Sequence, residues 1–176
     1  MNYRPVSNLC FLSKVIERAV VSQTMDHLNH NNIIDPYQSA YRRFHSTETL
    51  LTHLHDQVIQ HVEDHKVVIL VLLDMSAAFD TVDHHLLLQR IQSAGITDSA
   101  LSWFSSYFKD RTQLTCINGV KSSSCSLSCG VPQGSVLGPI LFSLYISGIR
   151  TIFLTTVMLT IFNFSLQLKS MNYQQP

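Results

Sequence analysis

Val67-Val68-Ile69-Leu70-Val71-Leu72-Leu73 is an unbroken run of seven apolar residues, and it stops at Asp74. A short run rich in β-branched residues predicts a strand covered on both faces. Asp74 then stands at the strand's carboxyl end, with Asp80 and Asp83 close behind. Sites in mixed α and β proteins gather at such ends, because the strand is rigid and its end is open. A carboxylate there can ligate a hard cation such as Mg²⁺, which takes oxygen ligands. It can equally do no more than cap the following turn, and spacing alone leaves both readings standing.

Outward from this run the chain alternates helical and extended patterns. Upstream, Phe11, Leu12, Val15, Ile16, Ala19 and Val20 repeat at three and four, which predicts a helix with Ser13 as its cap. A second helix is predicted from about Ser46 to Glu63, with Leu51, Leu54, Val58 and Val62 on its apolar face. His61 and His65 stand four apart there, but no third metal ligand accompanies them, so solvated histidines are the plainer reading. Downstream, Asp83 reads as the N-cap of a helix through Leu86, Leu87, Ile91 and Ala94 that Gly95 closes. Asp98 reads as the cap of another, bearing Leu101, Trp103, Phe104, Tyr107 and Phe108. Residues 112–117 and 120–127 read as strands joined by the hairpin turn Asn118-Gly119.

Gly130-Val131-Pro132-Gln133-Gly134 follows as a tight loop, feeding an apolar helix over about 135–146. Two glycines and a proline fix a sharp backbone path. Gln133 at the tip can both donate and accept hydrogen bonds, which suits close approach to a flat ligand. An ordinary turn before a helix would use the same residues. The mixture of hairpins and longer crossovers gives an α+β class.

Composition narrows the function only partly. Among 176 residues, twelve basic and twelve acidic side chains cancel, so no overall basic charge advertises nucleic-acid binding and a local groove would have to supply it. The four cysteines form no CxxC pair and give no zinc-ligand spacing. Arg4, Lys14 and Glu17 interrupt any leader-like apolar run, so a reduced, intracellular setting is expected. At 176 residues the chain allows one compact domain with a core.

Several motifs in register carry a resemblance. They are Tyr-Arg-Pro-Val-Ser-Asn-Leu (3–9), Phe-Leu-Ser-Lys-Val-Ile-Glu-Arg (11–18), Gln-Ser-Ala-Tyr-Arg (38–42) and His-Ser-Thr-Glu-Thr (45–49). Leu-Leu-Asp-Met-Ser-Ala-Ala-Phe-Asp-Thr-Val-Asp-His (72–84) and Gly-Val-Pro-Gln-Gly-Ser-Val-Leu-Gly-Pro (130–139) complete the set. In this order and spacing they resemble the reverse transcriptases of LINE-type (non-LTR) retrotransposons, over residues 3 to about 148.

The resemblance implies an incomplete right-hand polymerase: fingers over 1–65, part of the palm over 66–148, and a tail over 149–176 foreign to the fold. It implies an RNA template, a DNA primer and a deoxynucleoside triphosphate as partners. It makes Asp74 the first metal-binding aspartate, with the Met75 carbonyl beside it. Phe79 becomes the steric gate against a ribose 2′-hydroxyl, Ala78 part of the sugar pocket, and Gln133 a lining of the nascent base pair. Arg42 or Arg43 would reach the triphosphate, while Asp80 and Asp83 look structural. Family chemistry is two-ion phosphoryl transfer with Mg²⁺, which needs carboxylates from two strands.

The second carboxylate pair, a Tyr-Ala-Asp-Asp hairpin, is missing. After Asp110 the chain holds no Asp or Glu, and residues 151–168 carry no charge. Reading each codon's last base with the next two bases over Leu-Thr-Thr-Val-Met-Leu-Thr-Ile-Phe-Asn (154–163) permits His-Cys-Tyr-Ala-Asp-Asp-x-Gln. A frameshift therefore explains the tail. Without that hairpin, residues 67–73 are expected to lack a neighbouring strand, and the part after about 148 is expected to be poorly ordered. Two other classes stay open: a non-catalytic nucleic-acid-binding remnant, and a membrane-anchored protein using 151–168. The second is disfavoured by the scattered polar residues of that window.

Overall fold

Helix-capping chemistry sets most of the element boundaries. The computed structural model describes residues 6–70, 75 and 77–147. The extended start at 3–5, residues 71–73 of the expected strand, Asp74 and the tail with its frameshift and membrane readings lie outside the described residues.

Helix α1 covers Phe11–His30, and Cys10 rather than Ser13 is its N-cap, with the Cys10 sulfur accepting from the Ser13 amide at 3.4 Å. Ser13 sits inside the first turn, where its hydroxyl reaches Glu17 instead. Helix α2 spans Thr47–Glu63 behind Ser46, which forms a reciprocal capping box with Thr49. Asp83 caps α3, His84–Ser93, as its position predicts, and Gly95 follows in a left-handed conformation. Helix α4 is Asp98–Phe108, but Thr97 occupies its cap position and no side chain caps it. Asp98 has turned to a positive φ of 54° and accepts from the Thr97 hydroxyl, which uses up the expected cap.

The hairpin forms about its Asn118-Gly119 turn, both residues at positive φ as a two-residue hairpin loop demands. Its strands are shorter than expected. Thr112–Gln113 (β1) pairs antiparallel with Cys125–Ser126 (β4), and Cys116–Ile117 (β2) with Val120–Lys121 (β3). All eight residues are exposed, so no packed face extends the ladders. Residues 67–70 of the expected strand pair with nothing regular, and Val67 and Ile69 are 91% and 79% exposed. Among the described residues no strand lies beside 67–70 to cover it.

The core lies where α3 meets α4 and α5. Helix α5 runs Gly138–Ile146, three residues later than expected at its start, with Pro139 in its first turn. Gly138, Ile140, Leu141, Phe142 and Leu144 are all buried, the pattern of a helix surrounded on every side. It packs with Val82, Leu87, Ile91, Phe104 and Phe108. Helix α1 joins through Leu28, with Val20, Val21 and Met25 partly covered, and His27 Nε2 donates to the Ala94 carbonyl at 2.8 Å. The stripe expected to face inward is turned out: Phe11, Leu12, Val15 and Ile16 are exposed, while Glu17 and Thr24 are buried. No residue of α2 is buried. The class is therefore α+β, with the helices holding the core and the strands outside it.

Candidate functional site

Two loops zip together to make the candidate site. In the first, the Ala77 carbonyl accepts from the amides of Asp80 and Thr81, at 2.9 and 3.2 Å, so the chain turns back before Val82 and the Asp83 cap. In the second, residues 129–131 run antiparallel to 79–83. Asp83 pairs with Cys129, the Gly130 amide donates to Val82 at 2.7 Å, and the Val131 amide donates to Phe79 at 2.8 Å. His84 Nε2 donates to the Gly130 carbonyl at 2.7 Å while its ring stacks on Phe108.

Only glycine fits at 130. Its φ is +89°, and an added Cβ would stand 3.0 Å from the Asp80 carbonyl oxygen and 3.2 Å from that of Phe79. Gly119 has a similar φ of +82° but open space around it. Gly130→Ala is expected to cost about 2–4 kcal/mol, combining left-handed strain of roughly 1–2 kcal/mol with loss of the zipper's fit. Gly119→Ala should show about the strain alone. Urea unfolding midpoints of the two variants test the difference, and equal losses would mean that the close approach is unimportant.

Gln133 stands at the tip of the second loop. The Ser135 amide donates to the Pro132 carbonyl at 3.1 Å with Gly134 at a φ of +90°, the arrangement of a type II turn. The Gln133 Nε2 group donates to both carboxylate oxygens of Asp80 at 3.1 Å, and the Gln133 carbonyl accepts from the Ser7 amide. Asp80 is thus more than a turn former: it fixes the one side chain that the sequence picks out at this tip. Phe79, Ala78 and Met75 lie half-buried against the core, and the Phe79 ring stacks on Phe142 with centroids 5.3 Å apart.

Phe79, Asp80 and Gln133 therefore come together. Arg42 does not join them. Its Nη1 donates to the carbonyls of Asp35 and Pro36, and it lines a separate open cleft with Met25, Leu28, Tyr41 and Leu144. The cleft encloses roughly 400 Å³ of empty space, open solvent included. Arg43 lies over the Phe44 ring, 4.7 Å from its centroid. Among the described residues no three His, Cys, Asp or Glu side chains gather as a metal would need. The carboxylates nearest the turn are engaged otherwise, Asp80 with Gln133 and Asp83 with the Leu86 amide. The described donor set does not fit a Mg²⁺ ion, and Asp74 lies outside it.

Two positions escaped the sequence reading. Nothing in the local pattern marks His84 as a bolt between the loops. Glu17 is buried to 1% exposure among α1, α4 and the entry to α5, although its charge reads as a solvated face.

Comparison with known proteins fits the motifs. The profile of the family described as "Reverse transcriptase (RNA-dependent DNA polymerase)" matches residues 1–165. The chain is 32% identical over 144 residues to the probable RNA-directed DNA polymerase from transposon BS of Drosophila melanogaster. It is 31% identical over 150 residues to the RNA-directed DNA polymerase from the mobile element jockey of the same species. These matches cover 82% and 85% of the chain, and 16% of each relative. A Pol polyprotein from the type-1 retrotransposable element R2 of Popillia japonica is 26% identical over 81% of the chain and 20% of its own length. The chain spans about a sixth of the first two relatives. It belongs to the reverse transcriptase family, on the LINE-type (non-LTR) side of it.

Proposed function

We propose that the chain carries the fingers (1–65) and the first part of the palm (66–148) of a right-hand, RNA-directed DNA polymerase, and that it is inactive as written. The single observation behind this reading is the zipper of 79–83 against 129–131, which brings Phe79, Asp80 and Gln133 to one place. In this reading Phe79 and Ala78 bound the sugar of an incoming deoxynucleotide. Gln133 lies along the nascent base pair, and an RNA template with a DNA primer passes over both. Arg42, on its separate cleft, would have to swing away from the Asp35 and Pro36 carbonyls to meet a triphosphate. Mg²⁺ belongs to the family's chemistry. Asp74 and the Met75 carbonyl would be its only holders here, so it is not productively bound. An intracellular setting is part of the same proposal.

The tail over 149–176 is read as out of frame. The nucleotide sequence across codons 145–165 tests this directly. An insertion or deletion that restores Tyr-Ala-Asp-Asp is the expected result. A frame in which neither shift can encode two adjacent aspartates would end the frameshift explanation.

A further inference from the structure

Glu17 is a charged side chain in the interior, and every donor it meets is neutral. Its Oε1 accepts from the Ser13 hydroxyl at 3.3 Å and the Tyr107 hydroxyl at 3.1 Å. Its Oε2 accepts from the backbone amides of Val136 at 2.7 Å and Leu137 at 3.3 Å. Those two amides stand at the entry to α5, where a helix leaves donors without partners and favours negative charge. Within the loop the Ser135 hydroxyl oxygen accepts from the Gly138 amide at 2.9 Å, which leaves the amides of 136 and 137 for another acceptor. That acceptor comes from α1, more than a hundred residues away in sequence. Burial pushes the Tyr107 hydroxyl above its ordinary range; Arg111 pulls against this, and the Glu17 charge adds to it, so the hydroxyl stays a donor.

Three residues separate Gln133 from Leu137, and the intervening Gly134 is exposed. The loop is held on its near side by the zipper to 79–83. On its far side, among the described residues, Glu17 accepts from the amides of 136 and 137, while Ser135 accepts from that of 138. The lead-in to α1 adds a second grip, through the Ser7 amide on the Gln133 carbonyl. From this geometry we infer that Glu17 is a positioning residue: its carboxylate clamps the entry to α5 and so fixes where Gln133 is presented to nucleic acid. This inference rests on the proposed function for the role of Gln133, and on the structure alone for the clamp.

The test separates the two. Glu17→Met keeps the volume and removes the carboxylate acceptors, leaving the half-buried Val136 amide and the buried Leu137 amide unpaired. Glu17→Gln keeps an oxygen for those amides, and its NH₂ can donate to the two hydroxyls once they reverse roles. Amide hydrogen exchange, read by NMR on the full chain, should accelerate at least tenfold at 136 and 137 in Glu17→Met. It should stay near wild type in Glu17→Gln, and at Leu86, which the Asp83 cap protects, in both. Unchanged exchange at 136 and 137, or an equal rise at Leu86, would overturn the clamp. Should Glu17→Met not fold, Glu17→Asp takes its place, since it keeps the charge but loses reach, and the same criteria apply.

Binding supplies the readout that mere stability would not move. Anisotropy of a fluorescent poly(rA)/oligo(dT) duplex should show Gln133→Ala and Glu17→Met each weakening binding about fivefold. The double variant should be no weaker than Gln133→Ala. Additive losses would mean that Glu17 does not act through Gln133 and would overturn its positioning role. If the wild-type chain does not bind the duplex, or Gln133→Ala binds as the wild type does, the reading of Gln133 as a nucleic-acid contact falls, and with it Glu17's role toward nucleic acid. The exchange result then still decides the clamp by itself.

Discussion

Offered poly(rA)/oligo(dT), dTTP and Mg²⁺, the chain is expected to extend no primer, in single turnover or at steady state. The proposed chemistry needs carboxylates from two strands, and only Asp74 of that set is present in the sequence. No acidic residue follows Asp110, so no alternative carboxylate can come from the segment after the second loop. Metal-ion stabilisation of phosphoryl transfer is worth several kcal/mol. Losing it corresponds to a rate deficit of roughly a thousandfold or more. A version whose reading frame is shifted to encode Tyr-Ala-Asp-Asp should recover Mg²⁺-dependent extension if the rest of the palm is supplied with it. Robust extension by the unrepaired chain would defeat the inactivity proposal outright.

What was legible in the sequence was local. Asp83 caps α3 and Gly95 closes it because a cap needs only its own turn. Asn118-Gly119 makes its turn because both residues tolerate positive φ. The Gly130–Gly134 loop is tight for the reason its composition gives, and the structure adds the partner that makes Gly130 obligatory. What failed was tertiary. The apolar residues of α1 at 11, 12, 15 and 16 satisfy a helical period, yet the buried face is the neighbouring one through Glu17, Thr24 and Leu28. Periodicity finds a stripe but cannot tell which stripe will be covered when a buried carboxylate has four donors waiting. Strand 67–73 fails in its described part for a related reason: seven apolar residues favour burial, but a strand exists only with a partner. The candidate site divides along the same line. Phe79, Asp80 and Gln133 meet because two local turns present them, whereas Arg42 belongs to a segment anchored elsewhere.

Phe142→Ala should be the most damaging single truncation in the described core, at about 3–5 kcal/mol. The ring is fully buried in α5, a helix with five of its nine residues buried. It also stacks on Phe79, the side chain that begins the zipper, with an interplanar angle of 25°. Removing it opens a cavity beneath the site and takes away a ring contact worth a further ~1 kcal/mol. Domains of this size hold about 5–15 kcal/mol in total, so the loss takes a large share. Phe142→Leu, which fills most of the same volume, should cost less than half as much. Urea unfolding followed by the fluorescence of Trp103 measures both, with the midpoint falling and the slope unchanged. The damage should also reach the site: with its ring support gone, Phe79 loses its fixed orientation, and exchange at the Val131 amide, which bonds to the Phe79 carbonyl, should rise more than at Leu86. A stability loss below about 1 kcal/mol would show that α5 is not the keystone of this core.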